Sequence, residues 1–221
     1  MNVQLKSIFF IFGLTGTTFQ AFADDKTGKD SSDLKSSDTT SGPANPAPAA
    51  VAPISSLPPS SKMPTALEVG KVISTLVLKD VEGGKVTGEP WSSDELRGKV
   101  FSIFYVDPEE RARNEELETA YKTENFPMKL HGSVAIINMA AAWYPNNMIE
   151  SLLKKKQENF PLTTFVKDTN RKLVKEWGLA DDEVNIIVVD KAGKVLFLSK
   201  KPVPSSDFAK LFKIVRNSLN N

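Results

Sequence analysis

Lys99–Val106 (KVFSIFYV) is apolar on both faces, Ser133–Asn138 (SVAIIN) reads as the next buried strand and Val184–Asp190 (VNIIVVD) as a further strand. A strand of that kind must be covered on both sides, which calls for a central sheet held between two other layers. The segments between the runs carry helical signals. A helix is expected from about Pro108 to Thr123, and Asn147 opens another with Met148, Ile149, Leu152 and Leu153 on one face. A short strand follows at Thr163–Lys167 and a short helix at Asn170–Trp177. Val184–Asp190 and Lys194–Leu198 form a hairpin across Lys191-Ala192-Gly193. The last helix places Phe208, Leu211, Phe212 and Val215 at i, i+3, i+4 and i+7.

Upstream, Val72–Leu78 reads as a strand turned by Glu82-Gly83-Gly84 into a second strand near Lys85–Thr87. The whole order predicts an α/β fold: a mixed central sheet, helices on both faces and an N-terminal hairpin. It is the order of the thioredoxin fold in its peroxiredoxin-like branch. Ser92-Ser93-Asp94-Glu95 has capping-box spacing, with Trp91 and Leu96 placed as a hydrophobic staple, and Asn147 and Glu150 share that spacing. Lys154-Lys155-Lys156 reads as a solvated helix face.

The chain has 221 residues, and the expected domain takes only residues 64–221. Residues 1–23 have the order of a signal peptide: Lys6, then the apolar Ile8–Leu14, then the small-x-small site Ala21-Phe22-Ala23. Thr15, Thr17, Thr18 and Gln20 interrupt the apolar run before it reaches the roughly 20 residues of a membrane span. After cleavage no transmembrane anchor is expected, and the protein is placed in the periplasm. Residues 24–63 are rich in Ser, Thr, Asp and Lys, and then in Pro and Ala. Too few apolar side chains are present to offset the entropy of ordering, so this is a disordered linker, either a plain solvated tail or a tether toward a partner. Loss of Lys6 leaves 27 basic and 27 acidic residues, which argues against nucleic acid as a partner.

There is no cysteine and one histidine, His131. Thiol–disulfide and peroxidatic chemistry both need a cysteine sulfur and are excluded for these residues. In the thioredoxin fold that chemistry sits where the first central strand meets its helix; here the corner reads Tyr105-Val106-Asp107-Pro108-Glu109-Glu110-Arg111. Asp107 as N-cap, Pro108 at the first helical position and Glu110 three after the cap predict a capped helix start. Glu109 and Glu110 are also a candidate acid pair for proton transfer, although no second group in the sequence is placed to hold them. Val184 stands where the facing cis-proline would be, behind the acidic run Asp181-Asp182-Glu183. That run lacks the spaced ligands and distant Glu of a calcium loop and reads as a charged turn. Trp143 and Tyr144 follow the Ser133–Asn138 strand at the carboxyl edge of the sheet, as a recognition patch or as a lid over the core. His131 is structural or exposed.

Several segments together resemble the YtfJ family of periplasmic proteins. They are Glu89–Val100 (EPWSSDELRGKV), Ile136-Ile137-Asn138, Phe160-Pro161-x-x-x-Phe165-Val166-x-Asp168, Trp177-x-Leu179 and Val188-Val189-Asp190-Lys191-x-Gly193-Lys194-Val195. The resemblance covers about residues 70–220 and implies an exported, thioredoxin-like protein from a family that usually lacks the redox cysteines. It supplies no catalytic residues to transfer, and the long linker departs from the compact family pattern. The expected function is a non-catalytic binding module for a protein or peptide of the cell envelope, with Asp107, Glu109, Glu110, Arg111, Trp143 and Tyr144 as its contact residues. No cofactor or metal is expected. The alternative is a redoxin-related antioxidant or a hydrolase working through the acidic residues of the corner.

Overall fold

The computed structural model describes residues 66–141 and 145–220. The expected signal peptide, the whole of the linker, and the Trp143–Tyr144 pair lie outside these residues. The strands are β1 (Val77–Leu78), β2 (Gly83–Lys85), β3 (Trp91–Ser92), β4 (Val100–Val106), β5 (His131–Asn138), β6 (Thr163–Asp168), β7 (Val184–Val189) and β8 (Val195–Ser199). The helices are α1 (Glu115–Glu124), α2 (Asn146–Asn159), α3 (Lys172–Trp177) and α4 (Phe208–Leu219). Six strands form one sheet in the order β2-β6-β5-β4-β7-β8, with β4, β5 and β6 parallel and the other pairings antiparallel. No helix among the described residues is long and apolar enough to cross a membrane.

These three apolar runs are the central strands β4, β5 and β7, and their alternation feeds two cores. Val100, Phe104 and Val106 of β4 pack with Leu117, Tyr121, Ile149, Leu153, Leu211, Phe212 and Val215 on the α1, α2 and α4 side. Ile103 and Tyr105 point the other way, to Leu173 and Trp177 of α3 and to Trp91 and Leu96. Period-two alternation with both faces covered is what the sequence pattern requires. The β7–β8 hairpin forms as expected: Asp190 Oδ1 accepts the N–H groups of Ala192 and Lys194, each at 2.9 Å, and Gly193 takes φ 80°. The Ser92–Glu95 capping box is also present, closing a 3₁₀ turn at Ser93–Leu96.

Four local expectations are corrected. The N-terminal antiparallel pair exists, but β1 pairs with β3 rather than across the Gly83-Gly84 turn, and β2 becomes an edge strand on β6. Glycine is what permits this close approach: Gly83 has φ 127°, and a Cβ there would collide with the Lys167 carbonyl. The front of the expected first strand instead meets the turn before β8, through Ile73 N–H to Gly193 O at 2.9 Å and Val195 N–H to Lys71 O at 2.8 Å. On α2, which starts at Asn146, Ile149 and Leu153 are buried while Met148 and Leu152 are exposed, so the apolar stripe is only half used. Glu150 makes no capping box with Asn147, since it pairs with Lys167 of β6 at 2.9 Å. Lys154 and Lys155 are exposed as expected, but Lys156 is half-buried near Glu118, and burial brings its pKa down to about 8.

Candidate functional site: the acidic corner at the strand ends

Register explains how the corner is assembled. Val106 of β4 lies beside Ile137 of β5, so the next residues, Asp107 and Asn138, end their strands side by side. Asn138 in turn is paired with Asp168 of β6. On the other flank Val106 is paired with Val184 of the antiparallel β7, which brings the Asp181–Glu183 turn up against Asp107. The carboxyl ends of parallel strands are where open α/β sheets place their ligands. Here that edge carries three fully or nearly fully buried polar side chains, Asp107, Asn138 and Asp168.

Their hydrogen bonding differs. Asp168 accepts from the backbone N–H groups of Lys172 (2.8 Å) and Leu173 (2.9 Å) and from the Tyr105 hydroxyl (3.2 Å), capping α3. Asn138 donates through Nδ2 to Asp181 Oδ1 at 3.0 Å, while its Oδ1 has no partner. Both carboxylate oxygens of Asp107 lack a hydrogen-bond partner of good geometry, although the residue is only 2% exposed. Burial pushes its pKa up to about 6, and the charges of Asp181 and Asp182 push the same way; the nearby Asn138 amide and Glu183 N–H hold it down only in part.

Asp107 therefore does not cap the helix, against expectation. A turn at 107–110 separates it from the helical region, which opens as a 3₁₀ turn at Arg111–Asn114 without any side-chain cap. Its side chain is drawn instead into the gap between the ends of β5 and β7. One carboxylate oxygen each from Asp107, Asp181 and Asp182 lie within 4.8 Å of one another. Asp181 is also gripped by Arg171, Nη1 to Oδ2 at 2.6 Å, and Arg171 reaches Ala140 O through Nη2 at 3.1 Å.

The other expected contact residues are distributed around this cluster. Glu110 binds Arg113 at 2.7 Å, and the same guanidinium nitrogen meets Glu183 at 3.0 Å, lacing the turn to the entrance of β7. Glu109 and Arg111 are exposed, and the Arg111 charge acts on Lys156. Reading residues 181–183 as a charged turn missed what they meet, because Asp107 is distant in sequence. The signal that could have found it is that residues flanking paired strand ends must meet. His131 is structural: it is buried, its Nε2 lies 2.9 Å from Ser102 Oγ, and its ring lies beside those of Phe126 and Tyr121. Burial, with the Lys99 charge adding, drops its pKa to about 4.

Comparison with known proteins agrees with this architecture. A thiol peroxidase from Chromobacterium violaceum superposes with a TM-score of 0.51 at 13% identity, covering 70% of this chain and 90% of that one, which is a likeness of fold. The fold is thioredoxin-like. An uncharacterized Haemophilus influenzae protein is 30% identical over 139 residues, 61% of this chain and 75% of the relative. The uncharacterized Escherichia coli protein YtfJ is 27% identical over 108 residues, 48% of this chain and 59% of the relative. Residues 71–218 match the family model of the bacterial proteins of unknown function YtfJ_HI0045, and the chain belongs to that family.

Proposed function

We propose that this protein is a non-catalytic binding module of the periplasm, exported by residues 1–23 and presented on the linker of residues 24–63 to a protein or peptide of the cell envelope. The observation that carries this reading is the corner itself. A thioredoxin-like fold is kept, with no cysteine in the chain, and the strand end that opens onto the first helix holds a buried aspartate instead of a thiol. Around it, exposed Glu109 and Arg111 offer charged contacts, and the Arg113 bridge steadies the turn that carries them. Preorganised charged groups around a strand edge suit recognition of a partner with complementary charge.

The test is site-specific photocrosslinking of the full chain in intact cells, with the photoreactive residue at Glu109 or Arg111 and a control at exposed Lys210 on α4. The expected result is one discrete adduct from both corner positions and none from Lys210, with the protein released by osmotic shock. Adducts from all three positions alike, or retention in the cytosol, would sink the reading.

A further inference from the structure

Asp107, buried to 2% exposure with neither oxygen in a hydrogen bond of good geometry, is an unusual thing for a fold to keep. A buried carboxylate destabilises a protein unless it is paired, hydrogen-bonded or bound to a cation. The second mark is Asn138, which stands outside the acidic trio. It is wholly buried, its Nδ2 orients Asp181, and its amide Oδ1 has no donor. Arg171 offsets one of the three aspartate charges, through Asp181, and leaves two.

We propose that Asp107, Asp181 and Asp182, with the buried Asn138 amide beside them, form a binding site for a hard divalent cation, best suited to calcium. Every donor is an oxygen, which selects a hard ion over zinc or copper. Carboxylate oxygens within 4.8 Å of one another are compatible with a shared ion at calcium–oxygen distances of about 2.3–2.6 Å. Calcium also tolerates the irregular, incomplete donor set that a strand end and a turn provide, whereas magnesium demands near-ideal octahedral geometry. Asp181 can contribute despite its hydrogen bonds, because each carboxylate oxygen has a second lone pair. The ion would tie the Asp181-Asp182 turn to the ends of β4 and β5. Its role as a brace for the contact corner rests on the binding-module reading; the site itself does not.

The experiment uses the full protein, freed of cations with a chelator and desalted, and titrated with calcium chloride or magnesium chloride at pH 7.5. Calorimetry should show saturable 1:1 calcium binding, and 5 mM calcium should raise Tm by about 3–5 °C, which is the linkage expected when ligand exceeds Kd several-fold. Asp107→Asn and Asp182→Asn should each weaken binding at least 10-fold. Circular dichroism and the melting transition without calcium verify that both variants fold. Absence of saturable heat and of any Tm shift at 10 mM of either ion would overturn the site, as would equal shifts in wild type and both variants. Binding of magnesium in preference to calcium would overturn the assignment to calcium. Photocrosslinking from Glu109 without added calcium reads the binding-module proposal independently, so either idea can fail alone.

Discussion

Asp107 directly follows β4 and Asp168 ends β6, with β5 between the two strands, and both residues are buried. Asp168 is met by two backbone N–H groups and a tyrosine hydroxyl, while Asp107 meets no donor of good geometry. Burial raises the pKa of both, but at Asp168 the Leu173 and Lys172 amides and Tyr105 pull against it. The difference separates two uses of a buried carboxylate. One holds a helix in place and is spent doing so. The other is held in readiness at a cost in stability, which is the arrangement expected where a ligand completes the site.

The largest expected effect is at the satisfied carboxylate. Asp168→Ala strands two amides and the Tyr105 hydroxyl, and should destabilise by about 3 kcal/mol, lowering Tm by roughly 10 °C in a thermal melt. A loss under about 3 °C would mean that α3 does not depend on this cap.

The next prediction uses pH. The folded pKa of His131, about 4, lies below its ordinary 6.5, so the unfolded chain takes up that proton first. Its stabilising contribution is complete above pH 6.5 and is lost as pH falls toward 4, by about 3 kcal/mol. Asp107 runs the other way: its folded pKa of about 6 lies above the ordinary 3.8, so protonation favours the folded state as pH falls through that window. The two partly offset each other. Asp107→Asn should steepen the loss of stability between pH 7 and pH 4.5 by about 2 kcal/mol, while His131→Gln should flatten it by a similar amount. Urea unfolding at the two pH values reads both, and parallel curves for all three proteins would remove the contrast.

Smaller still is the direct effect of neutralising Asp107. Without divalent cations at pH 7.5, Asp107→Asn should raise Tm by about 3–5 °C, since it removes a buried charge that is only partly compensated. A fall in Tm would place Asp107 in the same structural class as Asp168. The smallest effect belongs to the exposed lacing at Arg113. Arg113→Ala should move Tm by about 1 °C or less, as exposed ion pairs contribute little. A larger change in differential scanning fluorimetry would show that the turn at 107–110 depends on that guanidinium.

What was legible in sequence was periodic or local. The apolar runs announced β4, β5 and β7, the spacing of Leu211, Phe212 and Val215 announced α4, and the Ser92–Glu95 box and the 190–193 turn formed as read. Most of the misreadings involve a choice of distant partner. Gly83 and Gly84 looked like a hairpin turn because their positive φ is shared by turns and by close strand approach. Glu150 had cap spacing but found Lys167, and Asp107 had cap spacing but was drawn in between β5 and β7. Local hydrogen bonds compete with tertiary ones at strand ends, and spacing alone cannot decide between them.

By itself the sequence determined that the chain folds around a doubly covered sheet, that it has no cysteine, and that its chemistry cannot pass through a thiol. Only the tertiary structure decided that the aspartate at the end of β4 faces Asp181, Asp182 and Asn138 rather than its own helix. The reason is physical: apolar period and the lack of sulfur are properties of residues and their near neighbours. A cluster of carboxylates is a property of strand register, set by the packing of the whole sheet.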